Sequence, residues 1–205
     1  IYRSEKKGWY KGSYLTLSAN GGLHWNNDLP FILPKRKSFI SYYHIDDVGY
    51  KTKFENLTYD LITSKSVKEG DIDSDVSDGY TKQLIQKGYL DDTTVLIVLL
   101  GEKTKCRKHV DWEISGALDY KVGDRYAGLL GLILPTHPDY GSKKYYPNKY
   151  PQRFIDNLNT KYAILRDYTT DRRKLQKYIE QAFGNRKYLS RKDNSKIQMK
   201  INSCS

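Results

Sequence analysis

Glu113 is the acidic side chain best placed to do chemistry in this chain, because of what precedes it. A continuous apolar run, Val95-Leu96-Ile97-Val98-Leu99-Leu100, ends at Gly101 and gives way to a loop carrying Lys103, Lys105, Arg107 and Lys108. Val110, Ile114, Ala117 and Leu118 then recur at helical spacing, which puts Glu113 a turn or so into a helix. A second polar group, Ser41, Tyr42, Tyr43 and His44, follows the short apolar segment Phe39-Ile40. A carboxylate, hydroxyls and cations can bind and polarise a small ligand, provided the fold brings them together.

The elements predicted from periodicity do so. The run 95–100 has no polar break and reads as a strand buried on both faces, as in parallel sheets covered by helices. Ser38 to Tyr42 predicts a first strand; Asp46-Asp47 suit the cap and first turn of the next helix, whose inner face carries Phe54, Leu57 and Leu61. Leu61 to Val67 predicts the second strand, and Tyr80, Leu84 and Ile85 a second helix ending near Gly88. Ala127 to Leu134 is a further buried strand whose glycines leave room for an overlying helix. Residues 136–152 read as a long loop, Tyr162 to Leu165 as the last strand, and Leu175, Tyr178, Ile179, Ala182 and Phe183 as an amphipathic final helix. This alternation predicts an α/β fold, a flavodoxin-like three-layer sandwich around a five-stranded parallel sheet of order 2-1-3-4-5. Ligands in such sheets settle where the strand order reverses, between the first and third strands. That rim unites Ser41–His44 with the loop after Gly101 and with Glu113.

At 205 residues the chain can fill one core, expected over residues 37–188, with an N-terminal arm at 1–36 and a basic tail at 189–205. The net charge of +11 is uneven: +4 over residues 1–36, −3 over 37–134 and +10 over 135–205. Positive excess at the ends rather than on the structured middle argues against a reader of nucleic acid. No run is long enough to cross a bilayer, so a soluble, cytoplasmic protein is expected. Cys106 and Cys204 offer no disulfide framework and suit a reducing compartment. His44 and His109 lack the cysteine spacing of a zinc site. Asp71, Asp73 and Asp75 begin like a calcium loop without its later glycine and glutamate, so no metal site is expected. Cys106 lies beside cations, but no catalytic cysteine signature surrounds it.

Two of these segments carry a resemblance. Phe39-Ile40-Ser41-Tyr42 followed by Asp46-Asp47 resembles the first box of TIR domains, and Lys108-His109-Val110-Asp111-Trp112-Glu113-Ile114 resembles the part of their third helix that ends in a glutamate and an aliphatic residue. An aromatic residue immediately before that glutamate, as Trp112 is here, is similar to the TIR-like proteins of the Thoeris antiphage system, the ThsB type. Pro151 to Asn157 and Ile179 to Phe183 are similar to that family too, so the likeness spans 37–188. The chain departs from many TIR domains in carrying His109 where a tryptophan is usual, and its arm has no counterpart in the shortest family members.

The resemblance implies an enzyme that cleaves the nicotinamide–ribose bond of NAD and releases a cyclic or conjugated ADP-ribose signal for a partner effector. NAD would be a substrate, and no separate cofactor is expected. Nicotinamide departs neutral and needs no acid; the difficulty is the positive charge that develops on the ribose, which a carboxylate can face. Glu113 is the candidate. Ser41 and Tyr42 would bond the ribose or the nicotinamide amide, Lys103, Lys105, Arg107 and Lys108 would meet the diphosphate, and Tyr43 and Trp112 would line the substrate site. A phage protein as trigger and a homo-oligomer or filament fit the same reading. Two alternatives stay open: a non-catalytic TIR module that associates through its basic ends and arm, and a nucleotide-processing enzyme such as a deoxyribosyltransferase, which shares the glutamate logic.

Overall fold

A computed structural model describes residues 9–10, 13–17, 23–26, 35–66 and 90–203. The predicted second helix, the acidic loop at 68–75 and Cys204 lie outside them. The chain divides into two compact units, 1–34 and 35–205. In the first, β1 (Trp9–Tyr10), β2 (Ser13–Leu17) and β3 (Leu23–Asn26) form an antiparallel sheet in that order.

The second unit holds the five-stranded parallel sheet. Its strands are β4 (Arg36–Ser41), β5 (Ile62–Lys65), β6 (Val95–Leu100), β7 (Gly128–Ile133) and β8 (Ile164–Asp167), in the order β5-β4-β6-β7-β8. This is the predicted 2-1-3-4-5. Four described helices accompany them: α1 (His44–Thr58), α2 (Lys108–Asp119), α3 (Gln152–Asn159) and α4 (Arg172–Asn185).

The period of two along β6 builds the layers. Leu96, Val98 and Leu100 pack with Val110, Ile114 and Leu118 of α2 and with Phe154 and Ile155 of α3. Val95, Ile97 and Leu99 pack on the opposite face with Phe54 of α1 and with Leu175, Ile179 and Ala182 of α4. All six side chains of β6 are buried, each worth roughly 1.5–3 kcal/mol relative to exposure. Gly128 lets α4 approach as the sequence implied: a Cβ there would lie 2.0 Å from the Ala182 carbonyl oxygen.

Two stretches differ from the sequence reading. The region after Pro151, given no element, forms α3, whose Phe154 and Ile155 insert into the core while Arg153 is buried too. Its apolar residues are few and follow that arginine, which the fold neutralises with Asp111. The basic stretch after residue 188 lies along α2 rather than trailing from the domain, as the hydrogen bonds below show.

The loop between β7 and α3 is ordered by Asp139. This buried carboxylate accepts from the Tyr146 amide at 2.7 Å, Lys149 Nζ at 2.9 Å and the Tyr150 hydroxyl at 3.1 Å. Burial alone would raise its pKa, but those donors hold it below the ordinary carboxylate value.

Candidate functional site

β4 and β6 are neighbours, with Ser41 opposite Val98. Ser41 ends β4, and α2 enters the same rim after the loop that follows β6. Glu113 lies six residues into α2. It is 3 % exposed, and Ser41 1 %.

The two side chains face one another. Burial raises the Glu113 pKa to about 8, and the Ser41 hydroxyl draws it back. Their geometry nevertheless falls short of a hydrogen bond, so Ser41 Oγ and Glu113 Oε2 are both buried without a partner. Buried polar groups left unsatisfied cost about 1–3 kcal/mol each, and Asp47 Oδ1 and the Tyr168 hydroxyl share that state.

Around this pair the predicted residues divide. Tyr43, at the start of α1, lies beneath the Arg107 guanidinium, 3.8 Å from ring centroid to Cζ. Arg107 Nε is buried without a hydrogen-bond partner. Tyr42 is buried and stacks on His44, with centroids 4.4 Å apart. Lys103 instead pairs with Asp46 at 3.0 Å, and Lys105 donates to the Asn148 carbonyl at 3.3 Å. Trp112 is buried among core residues, and its indole donates to the Met199 carbonyl at 2.8 Å. The cation best placed beside the first-strand loop is therefore Arg107, and Trp112 packs α2 against the C-terminal segment.

Sequence reasoning missed a second buried carboxylate. Asp47, read as part of a helix cap, points inward from α1, and a Cβ on Gly101 would lie 2.4 Å from both of its oxygens. Thr104 Oγ1 accepts the Gly101 amide at 2.9 Å and lies 3.3 Å from Asp47 Oδ2, which ties the loop after β6 to α1. Burial raises the Asp47 pKa to about 6, with Thr104 opposing it. Nothing in the pair Asp46-Asp47 distinguishes the exposed member from the buried one except helical phase.

It also missed the ion pair of Asp111 with Arg153, Nε to Oδ1 at 2.9 Å, with both side chains buried. Cys106, expected reduced, is disulfide-bonded, which removes it as a nucleophile. Among the described residues, no cluster of histidine, cysteine and carboxylates could hold a metal ion, and no helix is long and apolar enough to cross a membrane.

Two hollows lie elsewhere. One of about 640 Å³ runs along β8 and is lined by Lys143, Lys144, Lys161, Arg166 and Arg191, among others; another of about 570 Å³ lies beside Tyr50 and Tyr168. Neither borders Ser41 or Glu113, so the open hollow expected between them is not among these. The cations along β8 suit a guarded sheet edge, since charged side chains there discourage pairing with another chain.

The family comparison falls on the same residues. Residues 39–138, which include Ser41, Arg107 and Glu113, match the family of the Thoeris protein ThsB, TIR-like domain. Among curated proteins none matches the chain. A solved structure described as the activated Roq1 resistosome directly recognizing the pathogen effector XopQ (TIR domains) is similar over 75 % of this chain and 84 % of that one, at 12 % identity and a TM-score of 0.36. At that distance it adds nothing to the assignment. Over residues 39–138 the chain is thus similar to the TIR-like domain of the Thoeris protein ThsB.

Proposed function

We propose that the protein is an NAD-cleaving enzyme of antiphage defence, with Glu113 as its catalytic carboxylate. The observation that carries this reading is the pair of buried, unpartnered oxygens on Glu113 and Ser41 at the sheet's switch point. The match of residues 39–138 to the TIR-like domain of ThsB supports it.

The chemistry follows from the groups. The bond between the ribose anomeric carbon and the nicotinamide nitrogen breaks, and its electron pair leaves on nicotinamide, which departs neutral. Positive charge develops on the ribose, and the Glu113 carboxylate faces it in a site with little water to screen the attraction. A nucleophile then bonds to the anomeric carbon: water gives ADP-ribose and a proton, and another nucleophile gives a cyclic or conjugated product that signals to an effector. Ser41 bonds a ribose hydroxyl, Tyr43 with Arg107 holds the diphosphate side, and Tyr42 backs the first-strand loop. Lys103 and Lys105 sit farther out, where exchanging their present partners for phosphate is open to them.

In the ligand-free protein Glu113 is mostly protonated at neutral pH, because its pKa is raised to about 8. The cationic nicotinamide ring favours the carboxylate, so substrate binding expels a proton. Access requires side chains above Glu113 to move, since that residue is 3 % exposed.

The test compares infected cells expressing the wild type, Glu113→Gln or Ser41→Ala, with small molecules measured by mass spectrometry. Wild-type cells should lose NAD and gain nicotinamide and an ADP-ribose derivative. Glu113→Gln should reduce this by roughly 10²–10³-fold, the scale of losing one charge-stabilising group. Equal NAD consumption in wild type and Glu113→Gln rejects catalysis by this residue.

A further inference from the structure

α4 starts with its own cap: Asp171 accepts the amides of Arg173 and Lys174 at 3.0 and 3.2 Å. α2, which carries Glu113, has no such cap, because the residue in that position is Arg107 and it makes no side-chain capping bond. A helix start leaves its first amides unpaired unless an acceptor is supplied. Here the acceptor comes from the C-terminal segment, where Asn202 Oδ1 takes the Lys108 amide at 3.0 Å.

The segment reaches that point by running along the whole helix. Lys192 Nζ donates to the Leu118 carbonyl at 3.0 Å, and the Asn194 amide donates to Asp119 at 2.7 Å and to the Ser115 carbonyl at 3.1 Å. Gln198 donates to Ser115 Oγ at 3.0 Å. Met199 then makes two backbone bonds: its amide donates to Asp111 Oδ2 at 2.8 Å, and its carbonyl accepts from Trp112 at 2.8 Å. Ser203 closes the series by donating to the Cys106 carbonyl at 3.0 Å. Ile197 and Ile201 stay 83 % and 75 % exposed, so these two apolar side chains do not anchor the segment. Its grip on α2 is polar and directional.

We propose that residues 192–203 form a strap that positions Glu113, with Asn202 supplying the missing cap of α2 and Met199 clamping Asp111 and Trp112, the two residues before the glutamate. The inference rests on reading Glu113 as the reactive group. Asn202 and Met199 are positioning residues that act through the first two turns of the helix. Displacing a reacting group by about 1 Å can cost on the order of 10²-fold in rate, so a frayed first turn has leverage on the chemistry.

The test uses the full chain with Asn202→Ala, Asn202→Asp and Met199→Pro. Aspartate accepts the same amide and suits the positive end of a helix, whereas alanine removes the acceptor. Proline at 199 removes the amide that Asp111 accepts. Two readouts need no substrate: amide exchange at Lys108 and the next residues, and the titration of the Glu113 carboxyl by NMR. Asn202→Ala should speed exchange there by about tenfold and move the Glu113 midpoint towards acid by about half a pH unit or more as water reaches it. Asn202→Asp should restore both, and Met199→Pro should behave like Asn202→Ala. In turnover, Asn202→Ala should lower kcat about fivefold with KM within about twofold. Wild-type exchange in Asn202→Ala overturns the cap, and faster exchange with unchanged titration and kcat reduces the strap to a cover. A wild type that releases no nicotinamide contradicts the reading of the site, while exchange and titration still decide the strap.

Discussion

Glu113 carries a cost that its surroundings do not repay. Its pKa is raised to about 8 by burial, above the ordinary 4.5 that it has when unfolded. Its contribution to stability is therefore fully present below pH 4.5 and is lost as pH rises to the folded value near 8. Replacing it with the uncharged Glu113→Gln should leave stability at pH 4 nearly unchanged and raise it by about 3 kcal/mol at pH 7, measured by urea unfolding. Equal stability of the two proteins at both pH values would show that the carboxyl is not desolvated. That Ser41 and Glu113 share one rim was legible from sequence, because Ser41 ends a strand and Glu113 lies in the helix that follows the neighbouring strand. Asp47 was not, since its role depends on which of two adjacent aspartates turns towards Gly101. Lys103 and Lys105 were legible as cations but not as partners of Asp46 and Asn148.

At the level of elements, α2 is held from two sides. Arg153 of α3 meets Asp111 in the interior, and its Nη1 also donates to Asn194 at 2.7 Å. Arg153→Met should cost about 3–5 kcal/mol, because it strands a buried carboxylate. Adding Asp111→Asn should recover part of that loss, and a double mutant no more stable than Arg153→Met would argue against the pair as the cause. Gly128→Ala should cost at least about 1–3 kcal/mol, because its Cβ would strike the backbone of α4 rather than a side chain that can turn away. A variant that melts like the wild type would mean that α4 lies farther off. The close approach at Gly128 was legible from a glycine inside a buried run. α3 was harder to read, because it is short and its buried Arg153 finds its partner 42 residues away in sequence. The strap was hidden for a similar reason: Asn194, Gln198 and Asn202 have no apolar period, and backbone acceptors leave no pattern in the residues they engage.

For the molecule as a whole, the alternation of apolar runs and helical faces was enough to give the strand order, since a right-handed crossover between parallel strands leaves few alternatives. The uneven charge was also visible. What it could not show is that part of the C-terminal excess lines the guarded edge at β8 while Lys192 is drawn onto the end of α2. The parallel sheet places Ser41 and Glu113 at one rim, where burial raises the Glu113 pKa. The most direct test is kcat/KM for nicotinamide release from NAD, measured between pH 6 and pH 9 on the wild type and Glu113→Gln. The account predicts a wild-type rate that climbs with pH through a midpoint near 8, as the free carboxyl ionises, and a variant that stays at background throughout. Equal rates in the two proteins, or a wild-type rate independent of pH across that range, would contradict it.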